Sequence, residues 1–127
     1  MPKVLVVDDE PFILLMIEDK LTSAGYDVIT SRSGRGIIDI MRKERPDLVI
    51  LDWMMPEISG IDLCLRIKGD DDLSKTPVFM LTARGREDDE KFGMKCGVEQ
   101  YITKPFSPKL LLSMLEETIG GKKHEHE

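Results

Sequence analysis

The stretch Lys3-Val4-Leu5-Val6-Val7-Asp8-Asp9 decides how this chain folds: an apolar run with no polar interruption ends in a pair of carboxylates. A short apolar run of this kind, bounded by turn signals, marks a strand buried on both faces. The pattern recurs along the chain. Leu48-Val49-Ile50-Leu51 runs into Asp52, Val78-Phe79-Met80-Leu81 into Thr82, and Tyr101-Ile102-Thr103 into Lys104-Pro105. Strands of this type separated by helical stretches form a parallel α/β sheet whose carboxyl ends share one edge, and ligands bind at that edge. Three carboxylates, a hydroxyl and an ammonium, distant in sequence, are therefore expected to converge.

The alternation predicts strands at 3–7, 26–30, 47–51, 77–82 and 99–103, and helices at 11–24, 34–44, 58–68, 86–96 and 107–119. Pro11 suits the first turn of its helix and Gly25 its C-terminal cap. Pro46 and Pro77 fall where strands begin, outside the sheet interior. Five βα units with right-handed crossovers give a doubly wound sheet covered by helices on both faces. On the first helix, Ile13, Met16, Ile17, Leu21 and Ala24 are expected to meet the sheet, leaving Leu14 and Leu15 on the wet face as a candidate partner-docking pair.

A length of 127 residues suits one domain, assigned to residues 1–120, with 121–127 expected to be a disordered polar tail after the double glycine. The 41% hydrophobic and 33% charged composition holds no run approaching a membrane span. A net charge of −6 disfavours direct binding to nucleic acid or to anionic lipid. The N-terminus has no cleavable signal pattern, and Cys64 and Cys96 lack metal-ligand spacing. They read as reduced core thiols, and the expected location is cytoplasmic. The tail's His124-Glu125-His126 reads as solvated chain rather than a metal site.

Asp8, Asp9 and Asp52 together form a self-repelling cluster that must retain protons or be neutralised by a cation. Mg²⁺ fits, with Mn²⁺ as an alternative: a hard ion takes one or two carboxylates, keeps waters and completes its shell with phosphate oxygens. Lys104 adds a fixed positive charge. A carboxylate can accept a phosphoryl group as an acyl phosphate, with the cation and Lys104 offsetting charge on the transferring oxygens. The Thr82 hydroxyl is placed to hydrogen-bond one of those oxygens.

Four motifs carry a resemblance: Val6-Val7-Asp8-Asp9-Glu10-Pro11, Leu51-Asp52-Trp53-Met54-Met55-Pro56 with Gly60, Leu81-Thr82-Ala83, and Tyr101-Ile102-Thr103-Lys104-Pro105-Phe106. In this order the chain resembles a response-regulator receiver domain, the phosphoacceptor module of two-component signalling, over residues 3–119. The resemblance implies a flavodoxin-like (βα)5 fold with strand order 2-1-3-4-5. It implies phosphorylation of Asp52, metal ligation by Asp9, Asp52 and the Met54 backbone carbonyl with Asp8 acting through water, and phosphoryl contact by Lys104. Thr82 and Tyr101 would form the switch pair, and the Lys104-Pro105 peptide would be cis. The partners implied are a histidine kinase or histidine phosphotransfer protein and an unidentified output target. The target would be reached through the surface of the helix at 86–96, the strand at 99–103 and the helix at 107–119.

The chain is thus expected to be a signalling acceptor and not an enzyme, either alone or as the receiver of a larger DNA-binding regulator. A haloacid-dehalogenase-type phosphatase would need a second acid two residues after the nucleophile, where Met54 stands. A flavodoxin-like electron carrier would need a Ser/Thr/Gly-rich loop where Asp8-Asp9-Glu10 stands. Met54 and Arg84 sit at positions that vary in the family, which leaves the phosphoryl lifetime open. Gln100 replaces an acid often found before the switch tyrosine, which weakens the expectation of a dimer through that face.

Overall fold

The structure is a computed structural model describing residues 1–83 and 97–124, the last four by backbone alone. The helix expected at 86–96, with Arg84 and Cys96, and tail residues 125–127 lie outside the described residues. The elements are β1 (Lys3–Val7), α1 (Pro11–Ser23), β2 (Asp27–Ser31), α2 (Ile37–Glu44), β3 (Leu48–Asp52), α3 (Gly60–Lys68), β4 (Val78–Ala83), β5 (Gln100–Lys104) and α4 (Pro108–His124). The strands form one parallel sheet in the order β2-β1-β3-β4-β5. Among the described residues no helix is long and apolar enough to cross a membrane.

The two-residue period of a strand divides the core into two layers. Leu5, Val7, Val49, Leu51, Val78 and Met80 pack with Ile37 and Met41 of α2 and Leu63, Cys64 and Ile67 of α3. Val4, Val6, Leu48, Ile50, Phe79 and Leu81 pack on the other side with Ile17 and Leu21 of α1 and Leu111, Leu115 and Ile119 of α4. Both faces of the central strands are therefore dry, which explains why they read as continuous apolar runs.

Strands β2 to β5 all lie one residue later than the sequence suggests, and this offset matters at the site. Asp52 pairs with Leu81, Thr82 with Thr103 and Ala83 with Lys104, so the site residues Asp52, Thr82 and Lys104 are held in the ladder itself, while Asp8 and Asp9 follow β1 in the turn. While α1 starts at Pro11 as expected, α2 and α3 start late for local reasons. Gly36, at φ +77°, breaks α2 before Ile37. Ser59 caps α3, its Oγ accepting from the Asp62 N–H at 3.2 Å. The helix α4 continues past 119 through the double glycine to His124, which revises the tail expected from 121. Gly120 is absent from the positive-φ residues, so it does not act as a left-handed cap, and Ile119 and Gly120 are buried.

The docking pair on α1 needs correction. Leu14 is buried, at 7% exposure, while Leu15 is 64% and Phe12 74% exposed. On a helix Leu14 lies about 60° from Ile17, well inside the stripe that meets the sheet. The buried face is Leu14, Ile17 and Leu21, with Ile13 and Ala24 packed beside it and Met16 only half-buried at its margin.

Gly60 closes the loop after β3. A Cβ there would lie 2.3 Å from the Asp52 carbonyl oxygen, and the Gly60 N–H donates to the Trp53 carbonyl at 2.9 Å. A methyl group at Gly34 would press on a side chain instead, the Ile58 Cγ2 methyl, with Leu63 Cδ2 and the Ile58 carbonyl oxygen at ordinary contact distance. Gly60→Ala is therefore expected to destabilise the fold by about 2–4 kcal/mol in urea unfolding, and Gly34→Ala by less, since a side chain yields where backbone does not. Equal losses would show that the close approach at Gly60 does not govern the loop.

Candidate phosphoryl-transfer site

In the order β2-β1-β3-β4-β5 the chain direction of the winding reverses between β1 and β3. A crevice opens outside the carboxyl ends of the strands at such a point. The turn after β1 delivers Asp8 and Asp9 there, and the last residue of β3 delivers Asp52. Asp8, Asp9, Glu10 and Asp52 each offer a carboxylate oxygen, and these oxygens lie within 4.8 Å of one another. Asp8 is fully buried and Asp52 nearly so.

Lys104, at the end of β5, reaches across to this cluster. Its Nζ lies 2.9 Å from Asp8 Oδ2, 3.1 Å from Glu10 Oε1 and 3.3 Å from Asp52 Oδ1. Burial alone would lower the pKa of this ammonium, but its carboxylate partners outweigh burial and hold it above the usual lysine value. The Lys104-Pro105 peptide is cis. Asp8 is tied further by its Oδ1, which accepts from the Glu10 N–H at 2.9 Å.

Thr82 is fully buried beside the crevice, and among the described residues its hydroxyl donates in a long contact, 3.4 Å, to the Ala83 carbonyl. It has the parity of Met80, which faces the α2–α3 layer. Tyr101, opposite Met80 on β5, packs against the same layer, with its ring 6.1 Å from that of Trp53. Asp8, Asp9, Asp52, Thr82 and Lys104 thus converge as the strand pattern requires, and Tyr101 lies one strand over on the same face as Thr82. Met54 is exposed just beyond Asp52, Leu15 stands on the outer face of α1, and Leu14 does not reach the surface. Sequence reasoning passed over Glu10 and Phe12. Glu10 directly follows the acidic pair, whereas only a settled helix phase could have singled out Phe12.

An all-carboxylate oxygen set with no histidine or cysteine suits a hard divalent ion such as Mg²⁺ over a softer metal. The site's electrostatics favour neutralisation, by a retained proton or by a cation. Burial, and then the charge of Asp8, push the Asp52 carboxyl up to about 7 despite the opposing pull of Lys104.

The sign of the resulting pH dependence follows from proton counting. Between about 4 and 7 the unfolded chain has lost the Asp52 proton while the folded chain keeps it, so stability falls as pH rises through that window. Asn cannot ionise. In metal-free buffer above pH 7, Asp52→Asn is therefore expected to melt at least about 5 °C above the parent, a gap that closes as pH is lowered toward 4. A gap independent of pH would mean that repulsion at Asp52 is not its source.

Comparison with known proteins points the same way as the geometry. The family model for the response regulator receiver domain matches residues 4–116. The phosphate regulon transcriptional regulatory protein PhoB of Pseudomonas aeruginosa is 40% identical over 91% of this chain and 51% of its own length. The alkaline phosphatase synthesis transcriptional regulatory protein PhoP of Bacillus subtilis is 40% identical over 84% of the chain and 44% of its own length. The chain spans about half the length of these curated relatives. The chemotaxis protein CheY4 of Vibrio cholerae superimposes with a TM-score of 0.87 at 33% identity, covering 93% of this chain and 98% of CheY4. A response regulator receiver domain protein of Clostridium thermocellum gives 0.87 at 33%, covering 97% and 98%. With the family match extending over nearly the whole described fold, and solved receivers superimposing almost end to end, this chain belongs to the response regulator receiver family of two-component signalling.

Proposed function

We propose that Asp52 is the phosphoacceptor of this receiver, taking a phosphoryl group from a histidine kinase or histidine phosphotransfer protein. The observation that carries this reading is the Lys104 ammonium lying 3.3 Å from Asp52 Oδ1 in a crevice shared with Asp8 and Asp9. One Asp52 oxygen attacks phosphorus, the bond from phosphorus to the donor nitrogen breaks, and the donor imidazole leaves with that electron pair. The product is an acyl phosphate. Asp9, Asp52 and the Met54 carbonyl would hold Mg²⁺, or Mn²⁺, with Asp8 assisting through water. When bound, the ion offsets negative charge on the phosphoryl oxygens. Lys104 does the same from the β5 side, and the Thr82 hydroxyl, weakly engaged at 3.4 Å, is available to a phosphoryl oxygen.

In this reading Thr82 and Tyr101 are the coupling pair. Drawing Thr82 toward the phosphoryl group favours a different packing of Tyr101 in the layer both share, which alters the face that β5 presents with its neighbouring helices. Moving such an equilibrium from mostly inactive to mostly active takes ~5 kcal/mol of differential stabilisation. The protein acts as an acceptor and signal, not as an enzyme turning over a free substrate. A second reading places this receiver in a transcriptional regulator, supported by relatives that carry that name and are about twice as long.

The partner face follows from α1. Phe12 and Leu15 are exposed on the helix that begins directly after the acidic turn, so a donor presenting its phosphoryl group to Asp52 lies beside them. Burying both contributes roughly 2–4 kcal/mol at ~25 cal/mol/Å², less the costs of association.

Acetyl phosphate with Mg²⁺ is expected to add one phosphate to the parent chain, detected by intact mass, and to add none to Asp52→Asn. Undiminished labelling of Asp52→Asn would place the acceptor elsewhere. The pair Phe12→Ala and Leu15→Ala is expected to leave acetyl phosphate labelling intact while slowing transfer from the cognate phosphohistidine donor at least ~10-fold. Equal slowing with both donors would indicate a damaged site, and no slowing with either would remove α1 from the docking face.

A further inference from the structure

We propose that Glu10 is a positioning residue for this site, holding the Lys104 ammonium against Asp52. The inference rests on the reading of Asp52 as acceptor and extends it to a residue outside the acidic trio.

Lys104 has three donors and three carboxylate neighbours, and those neighbours are not equivalent. Asp8 and Asp52 are buried and belong to the proposed cation and phosphoryl machinery. Glu10, whose side chain is 58% exposed, contacts the same Nζ at 3.1 Å from the open side of the crevice. Its location is set by the site: its N–H donates to Asp8 Oδ1 at 2.9 Å, and Pro11 follows at the first position of α1. Glu10 occupies the N-cap of α1, yet its side chain makes no cap hydrogen bond. The carboxylate instead spans to β5, ninety-four residues away.

A lysine carries its charge on a long, flexible stem and needs a partner to keep one direction. When the oxygens of Asp8 and Asp52 engage a cation and a phosphoryl group, they are drawn away from the ammonium. Glu10 is the neighbour that stays available, and it keeps Lys104 at the crevice mouth instead of in solvent. Glu10 touches no reacting atom in this scheme, and its effect passes through Lys104.

The test compares Glu10→Gln and Glu10→Asp, alone and with Lys104→Met, using acetyl phosphate and Mg²⁺ on the whole chain. With one partner half-exposed, Glu10→Gln is expected to slow labelling between about two- and fivefold. Glu10→Asp, one carbon shorter, should recover little of that loss, and in the Lys104→Met background Glu10→Gln should have no further effect. Independently of labelling, the Lys104 ammonium resonance in ¹⁵N-edited spectra should broaden in Glu10→Gln as its protons exchange with solvent. The same loss with and without Lys104 would mean that Glu10 acts directly on metal or phosphoryl, which overturns the proposal. So would an unchanged Lys104 resonance. If the parent chain itself fails to label, the acceptor reading falls, and the resonance still decides whether Glu10 holds Lys104.

Discussion

Carboxylates pressed together at the carboxyl edge of the sheet, with one ammonium among them, set the terms for the rest of the molecule. Asp8 and Asp52 are almost without solvent, so their mutual repulsion is poorly screened, and the Asp52 carboxyl is pushed up to about 7. Lys104 relieves part of the strain through three ion contacts between 2.9 and 3.3 Å, but among the described residues its one positive charge faces four carboxylates. The site is consequently poised for a cation and, after the cation, for an anion. In the proposed function the metal-free form is the strained one, and the cation and phosphoryl group relieve it.

The fold supplies the rigidity that lets such a cluster exist. Two dry layers clamp the sheet, and the strand ladder runs up to the reactive residues, so that Asp52, Thr82 and Lys104 are held by backbone pairing and not by mobile loops. The Trp53 N–H donates to the Leu81 carbonyl at 2.9 Å, which carries the β3–β4 pairing one residue past Asp52. Gly60 then lets the returning chain pass so close to the Asp52 carbonyl that no side chain fits. Repulsion that would splay flexible loops is borne by the sheet instead. Preorganised charge of this kind needs little rearrangement when a phosphoryl group arrives.

Communication uses the same architecture. Thr82 and Tyr101 occupy neighbouring strands with side chains toward one layer, and Trp53, directly after the proposed acceptor, packs near the Tyr101 ring. A change at the crevice therefore has a short packed route to β5, the edge strand of the sheet on that side. Phe12 and Leu15 face outward from α1, so the proposed donor face lies on a different element from the proposed reporting face at β5.

Much of this was legible in the residues alone. Apolar runs that end in Asp8-Asp9, Asp52, Thr82 and Lys104 establish a buried parallel sheet and the convergence of its strand ends, because burial on both faces demands continuous apolar sequence and parallel strands share one edge. Among the described residues, local rules also located the starts of the helices to within a few residues. What they could not supply was anything set by packing between elements. Leu14 is buried because α1 is turned on the sheet relative to the stripe the helical wheel assigned to it, which leaves Met16 at the margin and Phe12 exposed. The four strands start and end one residue later in register with their neighbours, and α4 runs on past its double glycine, beside the buried Ile119 and Gly120. Glu10 gains its partner from β5, ninety-four residues on, a contact only the closed sheet creates. Composition and periodicity report what each segment must bury; which side chains then meet is decided by the assembled tertiary structure, since that depends on the relative rotation and register of elements that no local pattern encodes.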